Sequence, residues 1–569
     1  MIRRQKHVFR LAFMVLSVLY PLCMEAREHS WWPEFTLPES VLVSSPGVTK
    51  PEQLIVQSLS GLINKAVQQD GFEVGMWVDV PGSQYEYYFD ALRSSLKGNL
   101  LRKSPMQALK WAVEEGIVRS YVSYDEDVPE SVNIATVQAG FDNAVIVEKS
   151  IESKVADMTG LSCSFDATDW SPIQYFRENR HRLNDRILFL LSPSISNNRD
   201  FAIATGSMVY YGVDTALEEI LAWCKPLSPV IGWNTGPESA HIEPCSRYGL
   251  INTVSDFCCN LPLLCAIPAE HTRFERFDPG SIDYSDDRRV HAYVMSDGDN
   301  LQWTANKMWS SEEYWSSPYA TKLKMNFTTC AANMYMGPGI VLQCMRDSRQ
   351  DGVTPVEFGG GYYYPDLFAR ERQDRAGLIR RLALIVGDAM RNCGLGVVAF
   401  ICKDIRCNAS HEFYRIFAEV NPWLTGMLAL QYYPYNAGGG ETIWVDNGHG
   451  VMIPVSTPAG QIWAGLEIKG SGTPEQVASH VNTISRKSSW TVVHAWSRFA
   501  ISPDGGIVSA SQKDARNPRG VEPVYWGTTF LDKTIGLRSI EEILWRKRME
   551  KFPEQTRRML NAITCEHYE

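Results

Sequence analysis

The sequence predicts an α/β protein in two parts, an N-terminal α/β domain followed by a TIM-barrel-like (β/α) domain. Three observations support this fold class. Short apolar runs alternate with segments of helical periodicity, a charged and turn-rich stretch divides them, and 569 residues suffice for two or more domains. We expect the N-terminal domain at 33–267, a linker at 268–289 and the barrel-like domain at 290–569.

The composition excludes several classes of protein. Hydrophobic residues make up 44% of the chain and charged residues 21%, which is a globular balance and not that of a disordered or polytopic membrane protein. The same composition predicts no membrane span. The formal net charge is −10, so we expect no nucleic-acid partner. Aromatic residues are abundant, with 17 Trp, 24 Tyr and 22 Phe.

The first 26 residues have the pattern of a signal peptide. Four basic residues precede an apolar run, 11–23, that is too short to span a bilayer, and cleavage after Ala26 is expected. We therefore expect a secreted or periplasmic protein. A lipid-anchored N-terminus at Cys23 is the less favoured alternative.

The 13 cysteines bear on redox state and metal binding. In an oxidising compartment, Cys402 could pair with Cys407 or Cys258 with Cys259, and buried free thiols are the alternative. No cysteine or histidine spacing of the zinc type occurs, so we expect no metal and no cofactor.

In the N-terminal region, helical and strand-like patterns alternate. Thr49-Lys50-Pro51 begins a segment whose apolar residues recur at helical spacing, and short apolar runs follow at 74–78, 187–191 and 230–233. This alternation is typical of an α/β structure.

After residue 290 the strand-then-helix order is clearer. A long amphipathic helix is expected to end at Gly394, and Thr473 begins a capping box. Strands separated by helices favour a parallel sheet, and about 280 residues suit its closure into a barrel. The strands are expected at 290–295, 353–358, 396–402, 424–430 and 490–494.

In a barrel of this kind, function lies at the carboxyl ends of the strands. Asp297 and Asp299 could form a carboxylate pair with unequal pKa values, or they could make an Asp-Gly turn and cap the next helix. A calcium loop is disfavoured because the EF-hand spacing is absent. The polar residues at expected strand ends are Asp297, Asp299, Asn300, Glu357, Asp404, Gln431 and His494.

Glu357 precedes three glycines and three tyrosines. No Lys-Ser/Thr follows, which disfavours a phosphate site, whereas glycines beside aromatic faces suit a neutral polyhydroxylated ligand. A tight turn with core tyrosines is the alternative. Asp404 is equally consistent with a surface ion pair and His494 with a core histidine. No Gly-x-Ser-x-Gly, His-Glu-x-x-His or Walker A motif occurs, which disfavours serine hydrolases, zincins and NTPases.

Several segments resemble one known family. GGGYYYP at 359–365 resembles the motif of the GxGYxYVxP putative glycoside hydrolase family, and the segments SDGDNLQW at 296–303, QYYPY at 431–435 and VHAWS at 493–497 are similar to its other elements. SLSGLIN at 58–64 and IGW at 231–233, with Glu238, are similar to its N-terminal domain. Two residues of that motif, between its last Tyr and its Pro, are missing here, which predicts a shorter loop and a different direction for Tyr364.

The resemblance implies a secreted two-domain glycoside hydrolase that acts on an oligo- or polysaccharide through two carboxyl groups. Asp297 or Asp299 is expected in one role and Glu357 in the other, with Asp404 in reserve. A non-catalytic glycan-binding protein is the alternative, and a metal-dependent hydrolase using Asp297, Asp299 and His494 is a third possibility. The residues expected to contact sugar by hydrogen bonds or stacking are Asn300, Gln302, Gln431, His494, Trp303, Tyr362 and Tyr364.

Overall fold

The computed structural model describes residues 30–466 and 468–566. Its N-terminal part contains three small parallel sheets. The first has the order β2-β1-β3, with β1 Ser40–Ser44, β2 Val74–Val78 and β3 Leu100–Arg102. The second has the order β5-β4-β6, with β4 Ser120–Tyr124, β5 Ala144–Glu148 and β6 Cys163–Asp166. The third has the order β10-β9-β7-β8, with β7 Asn184–Leu190, β8 Ser207–Tyr210, β9 Pro229–Gly232 and β10 Ile251–Thr253.

Helices connect these strands, as the alternating sequence pattern predicts. The longest begins where the Thr49 side chain accepts a hydrogen bond from the amide of Glu52, and it ends at Gly71, whose φ is 69°. The helices of this part are Lys50–Asp70, Tyr85–Ser95, Pro105–Glu114, Ser131–Asp142, Glu152–Thr159, Pro172–Asn179, Arg199–Thr205, Thr215–Trp223, Ser239–Arg247 and Leu261–Ala266.

The C-terminal part is built on one larger sheet of eleven strands. Its hydrogen-bonded order is β16-β17-β15-β14-β13-β12-β11-β20-β18-β19, with β21 also paired to β11. All neighbours are parallel except β16 and β17. The strands are β11 Val290–Met295, β12 Asn326–Thr329, β13 Thr354–Glu357, β14 Val397–Cys402, β15 Gly426–Gln431, β16 Thr442–Asp446, β17 Met452–Ser456, β18 Gly460–Ile462, β19 Ser471–Gly472, β20 Ser488–Val493 and β21 Gly536–Leu537.

Helices again separate most of these strands. The long amphipathic helix runs over Arg375–Cys393 and ends at Gly394, whose φ of 76° is left-handed, as the sequence predicts. The other helices are Leu301–Trp303, which continues as a π-helix over Thr304–Met308, and Ala320–Leu323, Ala331–Met336, Gly339–Asp347, Asn408–Val420, Pro474–Asn482, Val521–Gly527, Ile540–Lys551 and Pro553–Glu566.

The larger sheet curls into a half-barrel. β17 and β18 lie near opposite ends of the strand order, yet only residues 457–459 separate them in the chain. Trp490 of β20 joins the two ends, because its indole Nε1 donates to Ser456 Oγ at 3.0 Å and its carbonyl oxygen accepts from the amide of Ala459 at 2.8 Å. The hydrogen-bonded order of the described strands does not close into a ring, so closure as a TIM barrel stays a prediction.

The two parts share contacts and are not clearly separate domains. The indole nitrogens of Trp31 and Trp32 both donate to Asn333 Oδ1, at 2.9 and 3.0 Å. Asn252 of β10 and Tyr362 exchange backbone hydrogen bonds of 3.1 and 2.8 Å. Phe274, within the expected linker, is buried and donates its amide hydrogen to Cys393 O at 2.8 Å. A separate N-terminal domain was expected, but the linker and these contacts join the two parts.

The eleven cysteines from Cys163 to Cys407 are free thiols. The pairing expected for Cys402 with Cys407 is wrong, because Cys402 Sγ lies 3.1 Å from Tyr414 Oη while Cys407 Sγ lies 3.6 Å from Ser410 Oγ. Cys258 and Cys259 are likewise unpaired. Across residues 30–466 and 468–566, no helix has the length and apolar character needed to cross a membrane. The predicted signal peptide and Cys23 lie outside the described residues.

Candidate active site

The candidate site begins where β11 ends. The chain turns sharply there, because Asp297 has a left-handed φ of 70° and Gly298 lies directly against β12. A Cβ on Gly298 would lie 2.1 Å from a backbone carbon of Thr328, so only glycine fits at this crossing. The turn leaves Asp297 partly exposed and Asp299 91% buried, so the two carboxyl groups lie in unlike environments.

Asp297 is held by two donors. Trp496 Nε1 donates to its Oδ1 at 3.0 Å, and the Ser296 hydroxyl donates to its Oδ2. Both bonds stabilise a carboxylate at this position. His494 lies within electrostatic reach of Asp297. Burial lowers the pKa of His494, and the negative charge of Asp297 raises it.

The ring of His494 is fixed by its surroundings. It stacks on Trp463 with ring centroids 4.1 Å apart and planes 2° apart, and its Nδ1 lies 2.8 Å from Ser497 Oγ. Trp463 also contacts Tyr433 and Tyr435 at centroid distances of 5.8 and 5.2 Å. A wall of aromatic rings therefore stands beside the carboxyl groups.

A third carboxyl group comes from the N-terminal part. Glu238 follows β9, directly before the helix Ser239–Arg247, and its Oε1 accepts a hydrogen bond from Tyr362 Oη. Burial raises the pKa of Glu238, the Tyr362 bond lowers it, and the negative charge of Asp297 raises it. Glu238 therefore lies within electrostatic reach of the carboxyl groups that follow β11.

Asp299 is the most strongly perturbed of the three acids. Burial raises its pKa well above the ordinary range, and the charges of Asp297 and Glu238 raise it further. Neighbouring negative charge therefore adds to burial in disfavouring the ionisation of Asp299 and of Glu238.

Tyrosines and one lysine complete the site. The hydroxyls of Tyr362 and Tyr364 lie 3.5 Å apart, and the Lys403 ammonium lies 5.4 Å from the ring centroid of Tyr364 and 4.5 Å from that of Tyr432. Burial raises the pKa of Tyr435 well above its usual value, and the charges of Asp297, Glu238 and Asp299 raise it further. The predicted ligand residues Tyr362 and Tyr364 are therefore at the site, although both side chains are buried.

Glu357, the expected second catalytic acid, is placed differently. Its side chain is fully buried, and its Oε1 and Oε2 accept hydrogen bonds from the amides of Gly360 and Ala332 at 2.7 and 2.8 Å. Burial raises its pKa to about 7, and these amides lower it. Both oxygens are thus occupied in holding the glycine turn, which points to a structural role and away from catalysis.

The reserve acid Asp404 is exposed and serves a turn. Its Oδ1 accepts from the amide of Arg406 at 2.8 Å, and its own amide donates to the buried carboxyl of Asp366 at 3.1 Å. Asp404 therefore has the contacts of a turn residue.

Gln431 is the last residue of β15 and is half-buried beside Tyr432.

Three further predicted ligands lie on the loop and helix after Asp299. Asn300 Oδ1 accepts from the Trp303 amide at 2.9 Å, and Gln302 Oε1 accepts from the Phe257 amide at 2.8 Å. Trp303 is buried, with its ring centroid 4.8 Å from Tyr314 and 5.1 Å from Trp496. These side chains hold the loop against the N-terminal part and also line a cavity next to Asp297.

Glu238 is the site residue that the strand-end argument missed. The polar residues predicted at strand ends all follow strands beyond residue 290, whereas Glu238 follows β9 of the third N-terminal sheet. Applied to every predicted strand, the same rule would have included it. Among the side chains of the described residues, no group of three or more His, Cys, Asp or Glu is arranged to hold a metal ion.

Family models match most of the chain. The GxGYxYP putative glycoside hydrolase C-terminal domain matches residues 290–500, the GxGYxYP_N second domain matches 118–179 and the GxGYxYP third domain matches 185–266. Residues 359–365 fit the GxGYxYP pattern without a gap. The expectation that two motif residues are missing was therefore wrong, and the direction of Tyr364 needs no special account.

The fold is similar to that of a solved structure. It is a putative hydrolase from Bacteroides thetaiotaomicron, with a TM-score of 0.76, 16% sequence identity, and coverage of 92% of this chain and 97% of that one. At this identity the likeness shows the fold, and it extends over both parts of the chain. A search of proteins with curated functions found no match.

Proposed function

This chain belongs to the GxGYxYP putative glycoside hydrolase family, and from that premise we propose that it cleaves glycosidic bonds at the cluster of Asp297, Asp299 and Glu238. The observation that carries the proposal is the convergence of three carboxyl groups, two from one strand end and one from another sheet, in unequal environments. Glycoside hydrolysis needs such a pair, with one group protonated and one ionised.

We assign the general acid to Glu238. It is partly exposed, so a leaving-group oxygen can reach it, and burial together with Asp297 raises its pKa and favours the protonated form. The Tyr362 hydroxyl fixes the direction of its carboxyl group. Protonation of the leaving oxygen by Glu238 breaks the glycosidic bond as the sugar gains oxocarbenium character.

Asp297 takes the opposite role. Hydrogen bonds from Trp496 and Ser296 stabilise its charged form, as a nucleophile or a base that activates water requires. Asp299, buried beneath the turn with its pKa strongly raised, favours its protonated form and so adds no second negative charge beside Asp297.

The surrounding aromatic rings suit a carbohydrate. Trp463, His494 and Tyr435 form a continuous wall, and aromatic faces pack against the apolar faces of sugar rings. We further propose that the curled sheet closes as a TIM-barrel-like domain with this site at its carboxyl mouth. The three-residue link between β17 and β18 and the Trp490 hydrogen bonds support closure.

We also propose that the protein is secreted or periplasmic. The support is the basic residues and the apolar run of residues 1–26. A glycan-degrading role outside the cytoplasm is consistent with such a leader.

The direct test is hydrolysis of a broad glycan panel by the wild type and by Glu238→Gln and Asp297→Asn. We expect sugar release by the wild type and a loss of kcat of about 10²-fold or more in each variant, because each swap keeps shape and removes an ionisable group. Asp404→Asn, at an exposed turn, is the control and should retain full activity.

Three outcomes would change the assignment. Full activity in both variants places the reaction elsewhere on the molecule. Binding without release of product favours a non-catalytic glycan-binding protein. Activity that EDTA abolishes and a divalent cation restores would replace the two-carboxylate mechanism by a metal-dependent one.

A further inference from the structure

The cavity lined by Asn300, Gln302 and Trp303 has a volume of about 230 Å³ and lies beside the carboxyl cluster. Its volume is below the roughly 300–1,000 Å³ of sites for drug-sized ligands, so it suits a single sugar ring. Trp496 connects the carboxyl cluster with the cavity, because its Nε1 donates a hydrogen bond to Asp297 while its ring lines the cavity. A ligand that reaches Asp297 therefore has the cavity as its neighbouring subsite.

The cavity wall carries positive charge next to an otherwise acidic site. The Arg519 guanidinium lies 5.4 Å from the ring centroid of Trp496 and 5.7 Å from that of Tyr314. Its Nε donates to Glu313 Oε2 at 3.0 Å, which fixes its plane. Within the described part of the chain, its two terminal amino groups have no acceptor, and Lys307 on the same wall forms no ion pair. The cavity wall thus carries the two positive charges of Arg519 and Lys307 and the single negative charge of Glu313.

An exposed aromatic ring stands at the same wall. Phe257 is 59% exposed, yet its backbone is held on both sides, because Gln302 Oε1 accepts from its amide at 2.8 Å and Asn306 Nδ2 donates to its carbonyl oxygen at 3.1 Å. A large apolar side chain held rigidly in solvent beside a cavity offers a stacking face for a ligand.

We propose that this cavity binds a sugar residue that carries a carboxylate, so that the substrate is an acidic glycan containing uronic acid. The planar guanidinium of Arg519 presents its two free amino groups in the fork that matches a carboxylate, and Lys307 adds a second positive charge. The negative charge of Asp297 repels the same carboxylate from the catalytic position, which fixes the order of the sugars across the two subsites. This inference rests on the proposed glycoside hydrolase function.

The test compares each uronic-acid polysaccharide of a panel with its carboxyl-reduced form, which has the same backbone and linkages but neutral sugars. Binding is measured by affinity electrophoresis in the Glu238→Gln background, so that hydrolysis does not consume the ligand. We expect at least one native polysaccharide to bind about tenfold or more tightly than its reduced form, and this preference to weaken as NaCl rises from 50 to 500 mM, since salt screens exposed charges.

Variants locate the effect. Arg519→Gln should lower the preference by about tenfold or more, and Lys307→Met should lower it by a smaller factor. Arg519→Lys keeps the charge but not the fork, so it should restore part of the preference. The exposed ion-pair residue Arg93 supplies the control Arg93→Gln, which should leave the preference unchanged. Thermal melting of each variant verifies the fold.

Failure of the acidic subsite and failure of the proposed hydrolase function would give different results. Equal binding of native and reduced polysaccharides, binding of neutral glycans alone, or an unchanged preference in Arg519→Gln would overturn the acidic subsite while wild-type hydrolysis still supports the proposed function. Absence of hydrolysis on every glycan, with the charge-dependent binding intact, would overturn the hydrolase and leave the subsite standing as a binding site.

Discussion

Replacement of Glu357 by glutamine separates a structural role of this buried acid from a catalytic one. Its two carboxyl oxygens accept hydrogen bonds from the amides of Gly360 and Ala332, and the side chain is fully buried. Burial raises its pKa to about 7. Glutamine has nearly the same shape and no ionisable group, so the variant removes the titration of this side chain from the folded protein.

The magnitude follows from the two pKa values. An unperturbed Glu has a pKa of 4.5, and the folded-state value of about 7 is higher, so the folded protein holds this proton more tightly. The stability contributed by the protonated group is fully present below pH 4.5 and is lost as the pH rises through 7. With about 1.4 kcal/mol for each pKa unit, Glu357 lowers the wild-type free energy of unfolding by roughly 2–3 kcal/mol between pH 5 and pH 8.

The assay is urea unfolding of wild type and Glu357→Gln at both pH values, together with turnover of the glycan that the panel identifies. We expect the variant to lose stability less steeply with rising pH, and its kcat to stay within about threefold of the wild type. An identical pH dependence of unfolding in the two proteins would refute the argument from burial. A kcat loss of about 10²-fold with unchanged folding would restore Glu357 as a catalytic acid.

Three further predictions concern the contacts of the site. Tyr362→Phe removes the hydroxyl that lowers the pKa of Glu238, so the basic limb of the profile of kcat/KM against pH should move to higher pH. Trp496→Phe removes the 3.0 Å hydrogen bond to Asp297 but keeps an aromatic ring at the cavity wall, and steady-state kinetics should show kcat reduced by about tenfold or more. Gly361→Ala places a Cβ 2.7 Å from a carbonyl oxygen of β10 at a φ of 139°, so urea unfolding should show a loss of roughly 1–3 kcal/mol.

Two matched variants serve as controls for the tyrosine and glycine substitutions. Tyr363→Phe removes a buried hydroxyl that donates to Gly359 O at 2.9 Å, so it should lower stability without moving the pH profile. Gly439→Ala has a φ of 58° with no atom within 4 Å of the added Cβ, so it should cost only about 1 kcal/mol. Equal pH profiles for Tyr362→Phe and wild type would argue against Glu238 as the general acid.

The sequence could predict those parts of the site that depend on topology. β11 has the bounds Val290–Met295 that its apolar run indicates, and Asp297 follows it directly. His494 follows β20, the parallel neighbour of β11, so both residues come to the same edge of the sheet. Strand direction and strand order suffice for this result, and both can be inferred from alternating patterns in one chain.

The depth of a side chain could not be predicted in the same way. Glu357 ends β13 as expected, but whether its carboxyl group faces a ligand or the amides of the next turn depends on the path of the three glycines that follow. Asp404 also follows a strand, yet its loop turns outward and leaves the side chain exposed. Burial and hydrogen-bond partners come from packing between elements, which periodicity does not describe.

The position of Glu238 shows why neither part of the chain makes the site by itself. Glu238 lies after β9, while Asp297 lies after β11, and Tyr362 of the C-terminal part donates its hydroxyl hydrogen to Glu238. The backbone of Tyr362 is in turn paired with Asn252 of β10, so the same residue fixes the two parts of the chain and the direction of the acid. Because a shift between the two parts would separate Glu238 from Asp297, their shared contacts are part of the geometry that the proposed reaction requires.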